Sequence, residues 1–242
     1  MPKMNRKKLT IVTIALLSAF LTDDSYALQK KNIAEVSSDE LISETQTGPA
    51  DAGDDHTCLV WWMPHEFWMG VLERDPSISK EDKEDMLKAV GGVSILAVVQ
   101  GDISSLGAFD FYTREQVEKG IVVSQTGPDG TSEKVPFQEK LNPDLEVVMA
   151  AFRPILATAM GKMGDNMHFF VLSDTLPSGG RRLDPYQGGE LKVKLEDKRG
   201  RALISEIALP LNSLYVPRTC PNGKKAHVSW NFCPWTGEKL QK

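Results

Sequence analysis

The sequence predicts an α+β fold in which a mostly antiparallel sheet packs with a few helices and is followed by a small C-terminal β-hairpin module. Two observations predict this class. Short segments rich in β-branched and aromatic residues outnumber the amphipathic helical segments along the 242-residue chain. The connections between the segments are short, which suits layers of secondary structure around a shared core.

The strands are predicted from runs in which apolar residues are continuous or alternate with polar ones. Residues 58–63 form a continuous apolar run that suits a buried strand, and Pro64 limits it. Residues 188–195 alternate apolar and charged side chains, which is typical of a strand with one buried face. The other predicted strands cover residues 93–99, 107–112, 121–124, 134–137, 166–173 and 201–211.

The strongest helix pattern covers residues 142–160. Asn142 can cap this helix, Pro143 suits its first position and Gly161 ends it. Apolar residues recur within it every three or four positions, so they form one face. Pro154 lies in the middle and is expected to kink the helix, because it removes one backbone donor. Shorter helices are predicted over residues 64–72, 79–90 and 113–119.

Residues 1–27 have the order of a cleavable signal peptide. Basic residues precede a 13-residue apolar run at 9–21, and Ser25 and Ala27 supply the small residues of a cleavage site. A helix that crosses the hydrocarbon needs about 20 residues, so no stable membrane span is expected. We therefore expect a periplasmic or secreted protein cleaved near Ala27. An uncleaved signal-anchor that tethers an envelope structural protein is the alternative.

The remaining chain divides into three parts. Residues 28–55 are polar without an apolar period, which favours a disordered tether. Residues 56–216 contain the predicted α+β domain, and residues 217–242 form a separate tail. Removal of residues 1–27 changes the formal net charge from −5 to −7, because four basic and two acidic residues are lost. An acidic protein repels polyanions, so nucleic acid is not an expected partner.

Few residues suggest catalysis. His65 and Glu66 are adjacent and could act as base and acid, but position 69 is Met, so the two-histidine zinc motif of metalloproteases is absent. Asp110, Asp165 and His168 could meet in a polar pocket if their two strands are neighbours. The alternative is that these side chains cap helices or make structural hydrogen bonds. No phosphate-binding loop, nucleophile elbow or dinucleotide-binding motif is present, and no cofactor is expected.

An aromatic group near the start of the domain also has two interpretations. It comprises Trp61, Trp62, Phe67 and Trp68. These rings could form a platform for a carbohydrate or peptide, but a place in the core is the stronger expectation.

The tail contains two short motifs, Cys220-Pro-Asn-Gly and Phe232-Cys-Pro-Trp-Thr-Gly. Together they resemble the two rubredoxin-like knuckles of a zinc ribbon, with Cys-Pro-x-Cys-Gly in each knuckle. The chain departs from this pattern in both: the second Cys of the first knuckle is missing, and Thr236 replaces that of the second. The mature chain as a whole resembles uncharacterised exported bacterial proteins whose α+β domain ends in such a ribbon.

The resemblance implies a metal-free relic of the ribbon. Two thiolates are too few for structural zinc, and the weaker alternative is a site of Cys220, His227 and Cys233. Facing knuckles would leave Cys220 and Cys233 close together, so we expect a disulfide between them in an oxidising compartment. Cys58 is then left over. The expected function is non-enzymatic binding of a partner that the sequence does not specify. A protein is one candidate partner, and the tail is expected to serve as a stabilising or docking module. A hydrolase or metal-dependent enzyme is the alternative.

Overall fold

The computed structural model describes residues 28–240. It confirms an α+β fold, and every pair of strands in its sheets is antiparallel. The predicted signal peptide lies outside the described residues. In chain order the described strands are β1 (Gln46–Thr47), β2 (His56–Met63), β3 (Val93–Ile103), β4 (Phe109–Phe111), β5 (Val122–Thr126), β6 (Ser132–Lys134), β7 (His168–Ser173), β8 (Gly189–Glu196), β9 (Ala202–Leu209), β10 (Arg218–Thr219) and β11 (Lys225–Ala226). The described α-helices are α1 (Ser38–Thr45), α2 (His65–Arg74), α3 (Lys80–Ala89), α4 (Arg114–Gly120), α5 (Pro143–Met160) and α6 (Lys162–Asp165).

The first sheet is built around the long strand β3. Strand β2 pairs with β3 along one edge, and β1 extends the sheet beyond β2. On the other edge of β3, strands β7 and β4 follow one another, with His168 opposite Val98 and Phe111 opposite Gly101. Asp110 and His168 are therefore on successive strands along the same edge, and these two strands pair with β3 rather than with each other.

The second sheet has the order β6-β5-β8-β9. Strand β9 alternates exposed and buried residues along its whole length, as expected of a strand with one face in the core. Buried apolar residues of this sheet belong to the same core as those of the first sheet. A polar contact also joins the two sheets, since the Gln100 side-chain amide donates to the Glu196 carbonyl at 3.2 Å. The opposite face of the first sheet packs on helices, where Trp61 contacts Phe67 of α2 and Phe152 of α5.

The aromatic group near the start of the domain lies in the core, which confirms the stronger of its two interpretations. The indole of Trp62 is fully buried, and Trp61, Phe67 and Trp68 are each 4% exposed. None of these rings is available as a binding platform. The chain places them there because β2 has buried residues on both faces and α2 follows it after a single proline.

The expectation of a disordered tether over residues 28–55 is wrong. This segment contains a 3-10 turn at Ile33–Glu35, helix α1 and strand β1. The side chains of Val36 and Leu41 are buried in the main core, and the Ser37 hydroxyl caps α1. A few apolar residues at the right spacing suffice to order this segment, since residues 56–216 supply the rest of the buried surface.

Helix α5 agrees with its prediction at both ends. Asn142 accepts a hydrogen bond from the Asp144 amide, and Gly161 follows the helix with φ of +57°. The short helix α6 then packs back so closely that a Cβ on Gly164 would lie 2.1 Å from the Leu156 carbonyl oxygen. Among the described residues, no helix has both the length and the apolar character needed to cross a bilayer.

Candidate functional site

His65 and Glu66 lie in the first turn of α2, beside a buried ion-pair group. The Arg181 guanidinium binds two carboxylates, with Nη1 at 2.6 Å from Oε1 of Glu66 and Nε at 3.1 Å from Oδ2 of Asp174. The Glu66 and Asp174 side chains are almost completely buried, whereas that of Arg181 is 30% exposed. Asp174 also accepts from the Leu183 amide. The group thus joins the loop after β7 to α2.

Burial shifts the pKa values of two residues in and beside this ion-pair group. Burial raises the pKa of Asp174, although Arg181 and the Leu183 amide counteract this. Burial lowers the pKa of His65 below its usual value, against the attraction of Glu66. Oε2 of Glu66 is buried and has no hydrogen-bond partner in the described part of the chain. A carboxylate held by one guanidinium and closed off from solvent is suited to holding a loop rather than to proton transfer with a substrate.

Asp110 belongs to a second polar network, where the two sheets meet. Lys198 Nζ lies 2.5 Å from Oδ2 of Asp110 and 3.4 Å from Oδ2 of Asp102. The other oxygen of Asp102 lies 3.1 Å from Nδ1 of His56 and accepts from the Tyr112 hydroxyl at 2.9 Å. The Lys198 amide donates to the same hydroxyl at 3.0 Å. The network therefore attaches the turn between β8 and β9 to the first sheet.

The hydrogen bonds of this network shift two pKa values. Burial alone would raise the pKa of Asp102, but the hydrogen bonds from His56, Tyr112 and Lys198 lower it. Burial, assisted by the negative charge of Asp102, raises the pKa of Tyr112 to about 12. The His56 side chain is only 1% exposed. A shallow cleft of about 190 Å³ beside the network is lined by Tyr112 and Lys198 but not by His56. The imidazole consequently has no route to a substrate in that cleft.

The remaining candidates lie elsewhere. Nε2 of His168 is 2.8 Å from the Tyr112 backbone oxygen, a structural contact between successive strands. Asp165 is exposed in α6. No hydrogen bond or ion pair within residues 28–240 joins any two of the five predicted residues, His65, Glu66, Asp110, Asp165 and His168. None of these contacts links Asp110, Asp165 and His168 to one another within the described residues.

The tail folds as two hairpin turns that face one another. In the first turn the Cys220 amide donates to the Lys224 carbonyl, and Gly223 has φ of +81°. In the second, the Cys233 amide donates to the Glu238 carbonyl, and Gly237 has φ of +74°. The two turns enclose a separate small core, formed by the buried residues Cys220, Ala226, Cys233 and Leu240.

Cys220 and Cys233 are present as thiols and are not joined by a disulfide. Burial opposes ionisation of Cys233, but hydrogen bonds from the Cys220 thiol, the Thr236 hydroxyl and two backbone amides lower its pKa to about 7. Burial and the hydrogen bond to Cys233 raise the pKa of Cys220 to about 11. The Thr236 that replaces a ribbon cysteine thus provides a donor to the remaining sulfur.

The alternative zinc site is not assembled. Across residues 28–240 there is no group of three or more His, Cys, Asp or Glu side chains arranged to bind a metal ion, and this includes Cys220, His227 and Cys233. Nδ1 of His227 is instead 2.8 Å from the Ser229 hydroxyl, and its ring contacts Trp230.

One face of the tail is attached to the rest of the described chain, residues 28–216, which we call the body. Val228 is buried in the main core, and its amide donates to the Asn212 side chain at 2.8 Å. Lys225 Nζ lies 3.4 Å from a carboxylate oxygen of Glu40. The Arg218 guanidinium donates to the carbonyls of residues 227, 228 and 230, which organises the connection between the two turns. The tail therefore sits on the body as a fixed module, which we call the C-terminal module.

Large aromatic side chains of this module remain exposed. Trp230 is 37% exposed, Phe232 58% and Trp235 48%. The rings of Trp230 and Trp235 meet edge to face with centroids 5.8 Å apart, and Lys224 Nζ lies 4.8 Å over the Trp235 ring. We call Lys224, Trp230 and Trp235 the aromatic-lysine surface.

The module and the body have opposite charge. Residues 217–242 contain five basic and one acidic side chain, a formal charge of +4, whereas residues 28–216 contain 19 basic and 30 acidic ones, a formal charge of −11. The overall acidity of the chain conceals this division. Counting charge by segment would have revealed it from the sequence, but the exposure of the tryptophans would not have followed.

Comparison with known proteins adds no relative: no protein-family model, no curated protein and no solved structure matches this chain.

Proposed function

We propose that this chain is an exported, non-enzymatic binding protein whose C-terminal module attaches to an anionic partner. The observation that carries the proposal is the aromatic-lysine surface, exposed on a module of charge +4 that is fixed to a body of charge −11. Exposed tryptophan with neighbouring cations is typical of contact surfaces, because the ring supplies apolar area and the cations supply attraction to an anion.

The state of the candidate catalytic residues supports a binding role over catalysis. Glu66 is held by Arg181, Asp110 by Lys198, and His168 by a backbone carbonyl. An acid or base must reach its substrate within hydrogen-bond distance. Glu66 is buried and His168 contacts the backbone, whereas the exposed Asp110 is paired with the Lys198 ammonium. Contacts of this kind hold together the two sheets of the body and attach the loop after β7 to α2.

The proposal includes export with cleavage near Ala27 and a disulfide between Cys220 and Cys233. In an oxidising compartment, the Cys233 thiolate attacks a disulfide of a thiol oxidase, and Cys220 then displaces the oxidase sulfur. One S–S bond forms in the module and one breaks in the oxidase, and the two thiol protons pass to the oxidase sulfurs, which become a dithiol. The two sulfurs must approach to about 2.0 Å, so the facing turns close slightly. The module then corresponds to a zinc ribbon in which a disulfide replaces the metal.

The test is salt elution of the exported, processed chain from immobilised heparin, a soluble polyanion. We expect retention that K224Q/K225Q/K239Q reduces, since these lysines belong to the module. The matched control K80Q/K83Q/K88Q removes the same charge from helix α3 of the body and should elute close to the parent chain. Failure of the parent chain to bind, or equal loss in the two variants, would refute the proposed function.

A further inference from the structure

We infer that the anionic partner is the surface of a lipid bilayer, on which the aromatic-lysine surface docks at the level of the headgroups. The inference rests on the proposed function and specifies its partner. Three features of the described residues support it: the kind of aromatic side chains, the position of the lysine, and the division of charge between module and body.

The exposed aromatic rings match the interfacial region of a bilayer. Tryptophan is favoured there because its ring is apolar and its indole N–H can still hydrogen-bond. Trp230 and Trp235 touch one another, so they form one continuous apolar area rather than two isolated rings. Phe232 lies between them in sequence and is the most exposed of the three rings. Shallow insertion would remove this apolar area from water.

The position of Lys224 favours a bilayer over stacking ligands. A nucleic-acid base or a sugar ring binds tryptophan by lying flat on an open ring face. The Lys224 ammonium occupies one face of Trp235, and Trp230 meets the same ring edge to face. A lysine beside an apolar ring instead suits an interface, because the flexible side chain lets its ammonium reach a lipid phosphate while the ring lies at the level of the headgroups.

The charge division gives the docked chain one orientation. Anionic lipids attract the module, whose basic residues far outnumber its single acidic one, and repel the acidic body. Because Val228 is buried in the main core and its amide donates to the Asn212 side chain, the module and the body cannot turn independently. The body is therefore held away from the membrane while the module touches it. Such binding is peripheral, reversible and sensitive to salt.

The experiment is flotation of the exported, processed chain with vesicles, its N-terminus checked by mass spectrometry so that no signal peptide contributes. The probes are vesicles of phosphatidylcholine alone and vesicles with about 30% phosphatidylglycerol, a fraction that gives a strongly negative surface. We expect binding to the anionic vesicles only. Brominated lipids should quench the fluorescence of the bound chain, because Trp61, Trp62 and Trp68 are buried and only Trp230 and Trp235 can reach them.

Two variants locate the contact. W230A/W235A should weaken vesicle partitioning by about tenfold or more, since it removes the apolar area that inserts. The control L106A/F109A removes two apolar side chains that are more exposed than the tryptophans, one in the turn before β4 and one at the start of β4, and should bind like the parent chain. Unchanged near-ultraviolet circular dichroism of the body, and a thermal midpoint equal to that of the parent chain, would show that each variant is folded.

The outcomes separate this inference from the proposed function. A chain that binds heparin but not anionic vesicles overturns the lipid partner and leaves the binding function in place. A chain that binds neither overturns both. Vesicle binding that L106A/F109A abolishes and W230A/W235A preserves also overturns the inference, because the contact would then lie on the β3–β4 turn. Equal binding to neutral and anionic vesicles would overturn the claim that anionic headgroups attract the module.

Discussion

Cys220 and Cys233 share the small core between the two turns of the C-terminal module, and their interaction raises the pKa of Cys220 and lowers that of Cys233. Both side chains are buried, and no other part of the small core is polar. A zinc ribbon holds its turns together with a metal ion and four ligands, whereas here two sulfurs must do so. The oxidation state of this pair consequently decides how firmly the module is closed.

The exported chain should contain one free thiol after denaturation, that of Cys58. C220S should expose a second thiol and destabilise the chain by about 3 kcal/mol, the loop-entropy value for a loop of about 14 residues. Mass spectrometry after alkylation and urea denaturation measure the two effects. C58S, the control, should leave the bond intact. Three free thiols in the exported parent chain would contradict the prediction.

The reduced pair should ionise one sulfur near neutral pH. The pKa of Cys233 is about 7 and those of Cys220 and Cys58 are about 11 and 12, so thiolate absorbance should rise once between pH 6 and 8. A thiol whose pKa is lowered on folding stabilises the folded form above its usual pKa. This contribution should be lost as the pH falls from about 9 through 7. C233S should remove the absorbance step, and C58S should preserve it.

Arg181 should be one of the most sensitive charged positions. R181A leaves the buried carboxylates of Glu66 and Asp174 facing one another without a cation, and we expect a loss of about 3–5 kcal/mol in urea denaturation. K80A is the control, because Lys80 pairs with Glu84 on the exposed side of α3 and should contribute less than about 0.5 kcal/mol. A further E66Q/D174N change should recover part of the R181A loss. Equal effects of R181A and K80A would show that the buried group has no structural role.

Asp102 should stabilise the fold in a pH-dependent manner. Hydrogen bonds from His56, Tyr112 and Lys198 hold the pKa of Asp102 below its usual value, so its contribution is present above about pH 4 and decreases as the pH falls through its folded value. D102N should therefore destabilise the chain near pH 7 and less so near pH 3. Urea denaturation at both pH values measures this. D165N changes an exposed carboxylate and should have little effect at either pH, and a D102N loss that does not depend on pH would contradict the prediction.

The local patterns in the sequence determined most of the elements. The cap at Asn142 and the alternation along β8 placed a helix and a strand within a few residues of their observed bounds. Residues 28–55 were misassigned because their order depends on the body: Val36 and Leu41 are too few to form a core by themselves. Propensity and periodicity describe a segment alone and do not contain the surface on which it packs.

The polar groups were predictable only in part. Glu66 and Asp110 could be singled out, but their partners Arg181 and Lys198 lie 115 and 88 residues further along the chain. No local spacing connects such residues, because the topology of two sheets brings them together. The tail motifs, by contrast, predicted two facing turns correctly, since each knuckle is formed by the residues of a single short segment.

The first described residues and the last residues of the body lie side by side, since the Val216 amide donates to the Gln29 carbonyl at 2.9 Å and Lys30 bridges Tyr215. The C-terminal module begins at Pro217, the next residue. Both ends of the body therefore emerge at one place. Any group joined to the chain directly ahead of residue 28 would therefore lie beside the C-terminal module.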